Sequence, residues 1–359
     1  MNDTRVVILG GGVAGHRIAH DLQGEAHITL VDPHDHVEVP MASPRALVEP
    51  TVTARSLMPY RSFLPEVTHV QGVAEKLTRD VVSIRPPDGR RIELPWDVAI
   101  VATGVDYGDA RIVSDAGTLE ARQEQASRTA AELALAERVL VVGGGPVGVE
   151  VAAELATDLD AEITLVHAGE RLLPGLHDSL VRRAERWLDR HGVVVHTGQR
   201  VPLPLPGKRV TTAQGLELAY DVGFVCMAGR PRSGLLEGFL SEHLDARGAV
   251  QVDAHLRVGG HPRVYAVGDV TALPERKLGM YAGKHVDVVV DNVVALLRGG
   301  EGGLAVYTPA TDDTSLALTL GRGAGAVRFA GITVPSAWFG AWVKGRDVFV
   351  PRYRKRVGL

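Results

Sequence analysis

Two glycine-rich loops carry the first chemistry legible in this chain. Gly10-Gly11-Gly12-Val13-Ala14-Gly15 and Gly143-Gly144-Gly145-Pro146-Val147-Gly148 share one spacing, and each follows a short apolar run and precedes a helix-forming one. In a strand–turn–helix of this kind, one glycine makes the tight turn, one lets backbone approach a pyrophosphate, and one lets the helix pack against its strand. The N–H groups left unpaired at the helix start, with the positive end of the helix dipole, favour a phosphate there. Each loop leads on to the same four residues, Ile28-Thr29-Leu30-Val31 and Ile163-Thr164-Leu165-Val166. The first copy then closes on Asp32, where an acid hydrogen-bonds the ribose hydroxyls of an adenine dinucleotide. The second closes on His167, which neither requires a free 2′-hydroxyl nor supplies an arginine-like charge. The choice between NADH and NADPH therefore stays open, with Arg171 close by.

The elements that must position these loops follow from the same pattern. Two βαβ units of related build predict two Rossmann-like dinucleotide-binding domains. Asp97–Gly104, ending in Ala102-Thr103-Gly104, reads as a buried parallel strand, and Asp221–Gly229 repeats its form, with Gly229 in the place of Gly104. Each glycine lets a crossover chain pass close to a bound dinucleotide. Between the copies the sequence predicts a loop over 33–50, a strand near 67–77, and a hairpin joining 81–84 to 91–94 through Pro86-Pro87-Asp88-Gly89. Val264–Asp269 is a further short strand ending in Gly268-Asp269, and an amphipathic helix is expected over 280–298. We read this as a return to the first domain. The fold class is α/β: residues 1–106 and 230–299 form one dinucleotide domain, 107–229 form a second inserted in it, and 300–359 form a small α+β domain. That last part has strands expected near 315–320, 326–329 and 331–334 and a helix near 336–344.

Bulk properties narrow the function classes. The chain has 359 residues, 45% hydrophobic and 23% charged, a globular composition. A net charge of −4 argues against bulk nucleic-acid binding. The lone cysteine, Cys226, removes both disulfide scaffolds and redox-active cysteine pairs, and its apolar strand predicts a buried, inert thiol. The first apolar run is too short for a signal-peptide core and no apolar run reaches membrane-spanning length, so a cytoplasmic location is expected. His34-Asp35-His36 offers two imidazoles with no third ligand and reads as a polar loop, with no metal expected.

The ordered set of Gly10–Gly15 with Asp32, Ala102-Thr103-Gly104, Gly143–Glu150 and Tyr265–Asp269 resembles the two-dinucleotide-domain flavoprotein reductases that use pyridine nucleotides. The resemblance implies FAD on the first domain, held by Gly10, Gly11, Gly12, Val13, Ala14, Gly15, Asp32, Arg45, Val73, Ala102, Thr103, Gly104, Gly268, Asp269, Lys277 and Phe349. It implies NAD(P)H on the second, held by Gly143, Gly144, Gly145, Pro146, Val147, Gly148, Glu150, His167 and Gly229. By the same carry-over Asp269 holds the ribityl chain, Lys277 lies near the flavin pyrimidine edge, and Arg45 lies near the FAD phosphates. Glu150 faces the flavin–nicotinamide junction, with an ordinary helix-terminal acid as the competing reading. The cysteine pair of the disulfide-reductase branch is absent from residues 33–50.

Lys277, Ala282-Gly283, His285, Leu316–Gly325 and Lys344–Val350 resemble a narrower group, the ferroptosis-suppressor branch of apoptosis-inducing-factor-like oxidoreductases, relatives of the type II NADH:quinone reductases. That group implies a quinone-like acceptor, with Lys344 and Phe349 approaching the distal side of the flavin and Glu150 and Lys344 as catalytic residues; a core Phe349 and a helix C-terminal cation at Lys344 are the competing readings. Two departures stand out. Position 2 is Asn2, so the N-myristoylation of one branch member is not expected. The type II enzymes' glutamine pair is replaced by Gly279–His285. A reductase of a small iron–sulfur protein, and a slow-turnover redox sensor that binds NADH, are the competing readings. Trp338, Phe339 and Trp342 at helical spacing, followed by Lys344, Arg346, Arg352, Arg354, Lys355 and Arg356, suggest peripheral contact with an anionic membrane face; a core helix with a solvated basic end is the alternative.

Overall fold

The computed structural model describes residues 2–227, 229–300, 302–310, 316–329, 331–334 and 337–359. Its two largest sheets are parallel and built alike. In the first, strands Val264–Ala266, Val98–Val101, Asn2–Leu9, Ala26–Asp32 and Thr68–Gln71 lie side by side in that order. In the second the order is Val222–Val225, Arg138–Val142, Glu162–Val166 and Val194–His196. Each glycine strand thus sits between its closing strand and the strand that ends in Asp32 or precedes His167. The first sheet alone gains Val264–Ala266, which brings Gly268-Asp269 beside Val101.

Strand alternation decides what covers each face of the first sheet. Val6 and Ile8 point towards the helices Gly15–Asp21 and Gly279–Leu297, packing with Ile18, Val286 and Val289. Val7 and Leu9 point the other way, onto Leu77, Val82 and Ile84 of an antiparallel meander, Val73–Leu77, Val81–Arg85 and Ile92–Pro95. The single strand expected over 67–77 is therefore two. Gly72 divides them, and a side chain there would strike Ile84 and the Arg85 backbone, so the chain leaves the parallel sheet at this point and enters the meander.

The stretch expected as a loop over 33–50 is largely structured. It contains a short strand, His36–Glu38, paired with Leu57–Pro59, and helical turns at Pro40–Ala42 and Ser43–Ala46 before a helix over Pro50–Ser56. Too few residues per element carry a period there for the pattern to be read in advance. The C-terminal part holds an antiparallel sheet of Leu316–Thr319, Gly325–Phe329 and Ile332–Val334, then Ala337–Gly340 and a π-helical turn, Ala341–Gly345. Expected positions Ser315 and Ser336, and Ala228 in the second closing strand, lie outside the described residues.

The C-terminal part bridges the two parallel-sheet units. Leu318, Leu320 and Ala326 join the core around the helix Pro146–Asp158, with Val149, Val151 and Leu155. Val348, Val350 and Val357 join the core of the first sheet. The two chain crossings pair with each other: Asp106 N–H donates to the Arg230 carbonyl and Arg232 N–H to the Gly104 carbonyl, both at 2.9 Å. Gly229 rides directly over the Asp106 carbonyl, where any side chain would overlap it.

Candidate active site

The two loops have nearly superposable stereochemistry. Gly10 and Gly143 turn with φ of +101° and +114°, a region that favours glycine, and a side chain at either would meet the backbone of the closing strand, at Ala102 or Cys226. A side chain at Gly15 or Gly148 would meet the carbonyl of Gly10 or Gly143, which is the close helix–strand contact. By contrast, nothing lies within 4 Å of where a Cβ on Gly12 or Gly145 would sit. Each loop thus presents an open cradle of backbone on one side only, which fits a pyrophosphate. Val13, Ala14, Pro146 and Val147 form the first turns that follow.

The middle glycines show why the residues after the second strands differ. Gly11 N–H donates to Asp32 Oδ2 at 2.5 Å, and Gly144 N–H donates to His167 Nδ1 at 3.2 Å. His167 must be neutral to accept there, and burial lowers its pKa accordingly. Asp32 is buried, and its Oδ1 takes both the His34 N–H and Nδ1–H at 2.8 Å, while His34 Nε2–H donates to the Ser114 carbonyl at 3.0 Å. With acceptors on both nitrogens, His34 suits the imidazolium form. Burial opposes that charge, but the Asp32 hydrogen bond and charge outweigh it and raise the pKa.

Asp269 is half-buried and its Oδ2 accepts from Tyr107 O–H at 2.7 Å. Gly268 before it has φ +72°, and its N–H donates to His285 Nδ1 at 2.9 Å. His285 Nε2–H donates in turn to Glu275 Oε1 at 2.7 Å, and Glu275 Oε2 accepts the Tyr307 hydroxyl at 2.5 Å. This relay fixes the turn that carries Asp269. Lys277 extends to the Thr271 carbonyl at 2.7 Å, in the same turn region. Thr103 Oγ1 donates to the Arg232 carbonyl at 2.6 Å, tying the first closing strand to the returning chain, and Val73 is exposed at the head of its strand.

Glu150 and Lys344, far apart in sequence, meet. Lys344 Nζ donates to Glu150 Oε1 at 2.5 Å, and the Thr319 N–H donates to the same oxygen at 2.7 Å. Both side chains are only 7% exposed. Among the described residues Glu150 Oε2 has no hydrogen-bond partner. Phe349 follows at φ +65° with Val348 at +45°, two consecutive non-glycine residues in the left-handed region, a conformation that costs roughly 1–3 kcal/mol at each. Phe349 N–H donates to Asp347 Oδ1 at 3.0 Å, and the Arg352 guanidinium lies 4.9 Å above its ring.

Arg45 makes its contacts with the protein itself. Its Nε and Nη2 form a two-pronged contact with Glu154 at 3.0 and 2.8 Å, and Nη1 donates to the Gly345 carbonyl. Three of its five N–H groups are therefore committed to protein rather than to phosphate, in a pair 3% and 1% exposed. The sequence reading passes over Glu154. Its signal was a second carboxylate four residues after Glu150, on the same face of a helix otherwise apolar in that turn.

A family model described as pyridine nucleotide-disulphide oxidoreductase matches residues 4–292. The chain belongs to this family. The oxidoreductase is 30% identical to ferroptosis suppressor protein 1 of Xenopus laevis over 367 residues, 99% of this chain and 96% of that protein. Among solved structures, the fold resembles an NAD-dependent persulfide reductase from A. fulgidus (TM-score 0.75, 23% identity, 90% of this chain and 63% of that one). It also resembles the sulfide:quinone oxidoreductase of Aquifex aeolicus (TM-score 0.75, 17% identity, 99% of this chain and 91% of that one). The second likeness extends through the C-terminal part that carries Lys344. This oxidoreductase is a flavoprotein enzyme that uses FAD and NAD(P)H.

Two outcomes follow from burial. Removing one charge of the Lys344–Glu150 pair leaves the other buried and unpaired, so Glu150→Gln or Lys344→Met alone should cost about 3–5 kcal/mol, while the double variant Glu150→Gln/Lys344→Met should be far less damaging than their sum. Urea denaturation of the four proteins measures this. His16 is buried beneath the first loop, its Nδ1–H donating to the Gly12 carbonyl at 2.6 Å, and burial pulls its pKa down to about 4. Because the unfolded chain takes up a proton near pH 6.5 and the folded one only near 4, His16 removes stability as pH falls between those values, by roughly 3 kcal/mol at most. His16→Gln should flatten that part of a stability–pH curve; an unchanged slope would assign it to other groups.

Proposed function

We propose that this oxidoreductase passes electrons from NAD(P)H, by way of FAD, to a quinone-like small acceptor. We assign residues 1–106 with 230–299 to FAD, 107–229 to the nicotinamide nucleotide, and 300–359 to the acceptor side. The observation that carries the reading is the buried Glu150–Lys344 pair. One partner stands in the first turn beyond an open pyrophosphate cradle, and the other belongs to a C-terminal segment that packs on the FAD unit.

The group that does the electron chemistry when bound is the flavin, which accepts hydride from nicotinamide and needs little from side chains beyond alignment and dryness. The chain's own contribution, in this reading, is binding and placement. Gly10–Gly15 and Gly143–Gly148 would hold the two pyrophosphates, Asp32 the adenosine ribose and Asp269 the ribityl hydroxyls. Thr319 and Lys344 hold Glu150 by one oxygen and leave the other to accept a carboxamide or ring N–H. Lys344 compensates the Glu150 charge in a site where water is excluded and electrostatic contacts are strengthened. Phe349, pinned by its strained backbone, supplies an apolar wall. The ferroptosis suppressor relative, matched along its whole length, and the absence of a cysteine pair support a small acceptor over a disulfide.

Anaerobic stopped-flow mixing with NADH or NADPH should bleach the flavin, and a soluble quinone should restore it. Glu150→Ala should slow the bleaching at least tenfold while FAD remains bound. Turnover with ferredoxin-type proteins and none with quinones would favour the redox-protein reading, and slow turnover with every acceptor the sensor reading.

No helix among the described residues is long and apolar enough to cross a membrane. We infer peripheral contact at the C-terminus, where Trp342 is 53% exposed and the helix Val350–Arg356 turns Arg352, Lys355 and Arg356 to solvent. Each basic residue contributes about 1 kcal/mol at an anionic surface. Sedimentation with phosphatidylserine vesicles should fall on charge reversal at these three positions and with rising salt; binding indifferent to both would refute it.

A further inference from the structure

The helix Pro146–Asp158 carries three carboxylates at successive fourth positions, Glu150, Glu154 and Asp158, and each meets a cation from another part of the chain. Lys344 takes Glu150, Arg45 takes Glu154, and Arg322 takes Asp158 at 2.8 Å. The middle rung differs from its neighbours. Arg45 grips Glu154 through two nitrogens and spends a third on the carbonyl of Gly345, the residue next to Lys344. It reaches that carbonyl because Ala341–Gly345 is a π-helical turn, closed by Arg346 N–H to the Ala341 carbonyl at 2.9 Å, and such turns collect at functional sites. The Lys344 carbonyl is held too, by the Val348 N–H at 2.9 Å. Leu47, two residues after Arg45, is buried in the core of the second unit, so the arginine is anchored from its own side as well.

We propose that Arg45 is a positioning residue: with Glu154 it clamps the Gly345 peptide and so fixes Lys344 against Glu150. Its effect on the reaction rests on the function proposed above; its effect on Lys344 does not. A lysine ammonium is a mobile point charge on a flexible stem, whereas a guanidinium fork matches a carboxylate rigidly. The fork therefore supplies the order that the Lys344 side chain lacks. The pair is buried, where burial pushes the Glu154 carboxyl up against the pull of Arg45, so neutralising either partner disturbs the other.

The test uses the FAD-loaded full chain as wild type, Arg45→Gln, Glu154→Gln, the double variant and the conservative Arg45→Lys. Lys344 acylation by an amine-reactive reagent is read by mass spectrometry, beside FAD content and the pH profile of flavin reduction by NAD(P)H. Expected is protection of Lys344 in wild type and at least tenfold faster labelling in Arg45→Gln and Glu154→Gln. FAD content should be unchanged, the double variant should be no worse than the poorer single one, and Arg45→Lys should be intermediate. The pH profile should shift in the same variants while the KM for NAD(P)H holds. Lys344 equally protected in all variants would overturn the proposal, as would FAD loss in Arg45→Gln but not in Glu154→Gln, which would make Arg45 a cofactor ligand. If Arg45→Gln does not fold, Glu154→Gln and Arg45→Lys decide it by the same labelling. Wild-type flavin that NAD(P)H fails to reduce would sink the functional reading alone, since the labelling result stands without it.

Discussion

A carboxylate buried in protein has to be paired, and much of this molecule can be understood from where the helix Pro146–Asp158 finds its partners. Its start must lie open beside Gly143–Gly148 so that backbone N–H groups can meet a phosphate, while its flank must be dry enough to pack Val149, Val151 and Leu155 into the second core. Glu150 and Glu154 sit on that dry flank, at 5% and 0% exposure. Desolvating two carboxylates there is tolerable only with cations brought to them, and no cation lies within the helix itself. Arg45 and Lys344 come from separate parts of the chain. The pairing requirement thus draws two distant regions onto one helix and sets Lys344 against Glu150, two residues past the second glycine loop.

The repeated unit shows the same logic applied twice with different chemistry. In both copies the middle glycine gives its N–H to a residue at the end of the second strand, Asp32 as its last residue and His167 just beyond it. Asp32 accepts that bond on one oxygen and takes the His34 N–H and Nδ1–H on the other. His167 can accept only as a neutral ring, through one nitrogen, and leaves its other nitrogen as a donor. The second loop is accordingly without a carboxylate at that point.

Much of this was legible in the residues. The three central strands of each sheet follow from the glycine loops, the shared four-residue strand and the two closing strands, because each is a long-period signal with a fixed physical meaning; the edge strand Val194–His196 carries no such signal. The pairing of Glu150 with Lys344 was not legible from spacing, since 194 residues separate them and only the sheet and turn of the C-terminal part bring them together. The division of 67–77 at Gly72 was missed because an apolar strand that changes sheets keeps its period; only the glycine marks the bend. Arg45 is expected by resemblance near the FAD phosphates, and its contact with Glu154 was hidden for a different reason. An arginine in a short, aperiodic segment announces a charge but not an address, whereas Glu154, on a helix with a clear face, announced both.

Strain adds a further constraint on the C-terminal segment. Val348 and Phe349 hold left-handed backbone that neither β-branched nor aromatic residues favour, and a cost of roughly 1–3 kcal/mol apiece must be offset by what surrounds them. The offsets are visible: Val348 and Val350 are buried in the first core, Asp347 caps the Phe349 N–H, and Arg45 holds Gly345. The segment is therefore bent at the point where it passes from the core of the second unit to that of the first. The arginine that grips Glu154 also holds Gly345, four residues before Phe349, so the buried charges and the left-handed backbone meet in one short segment.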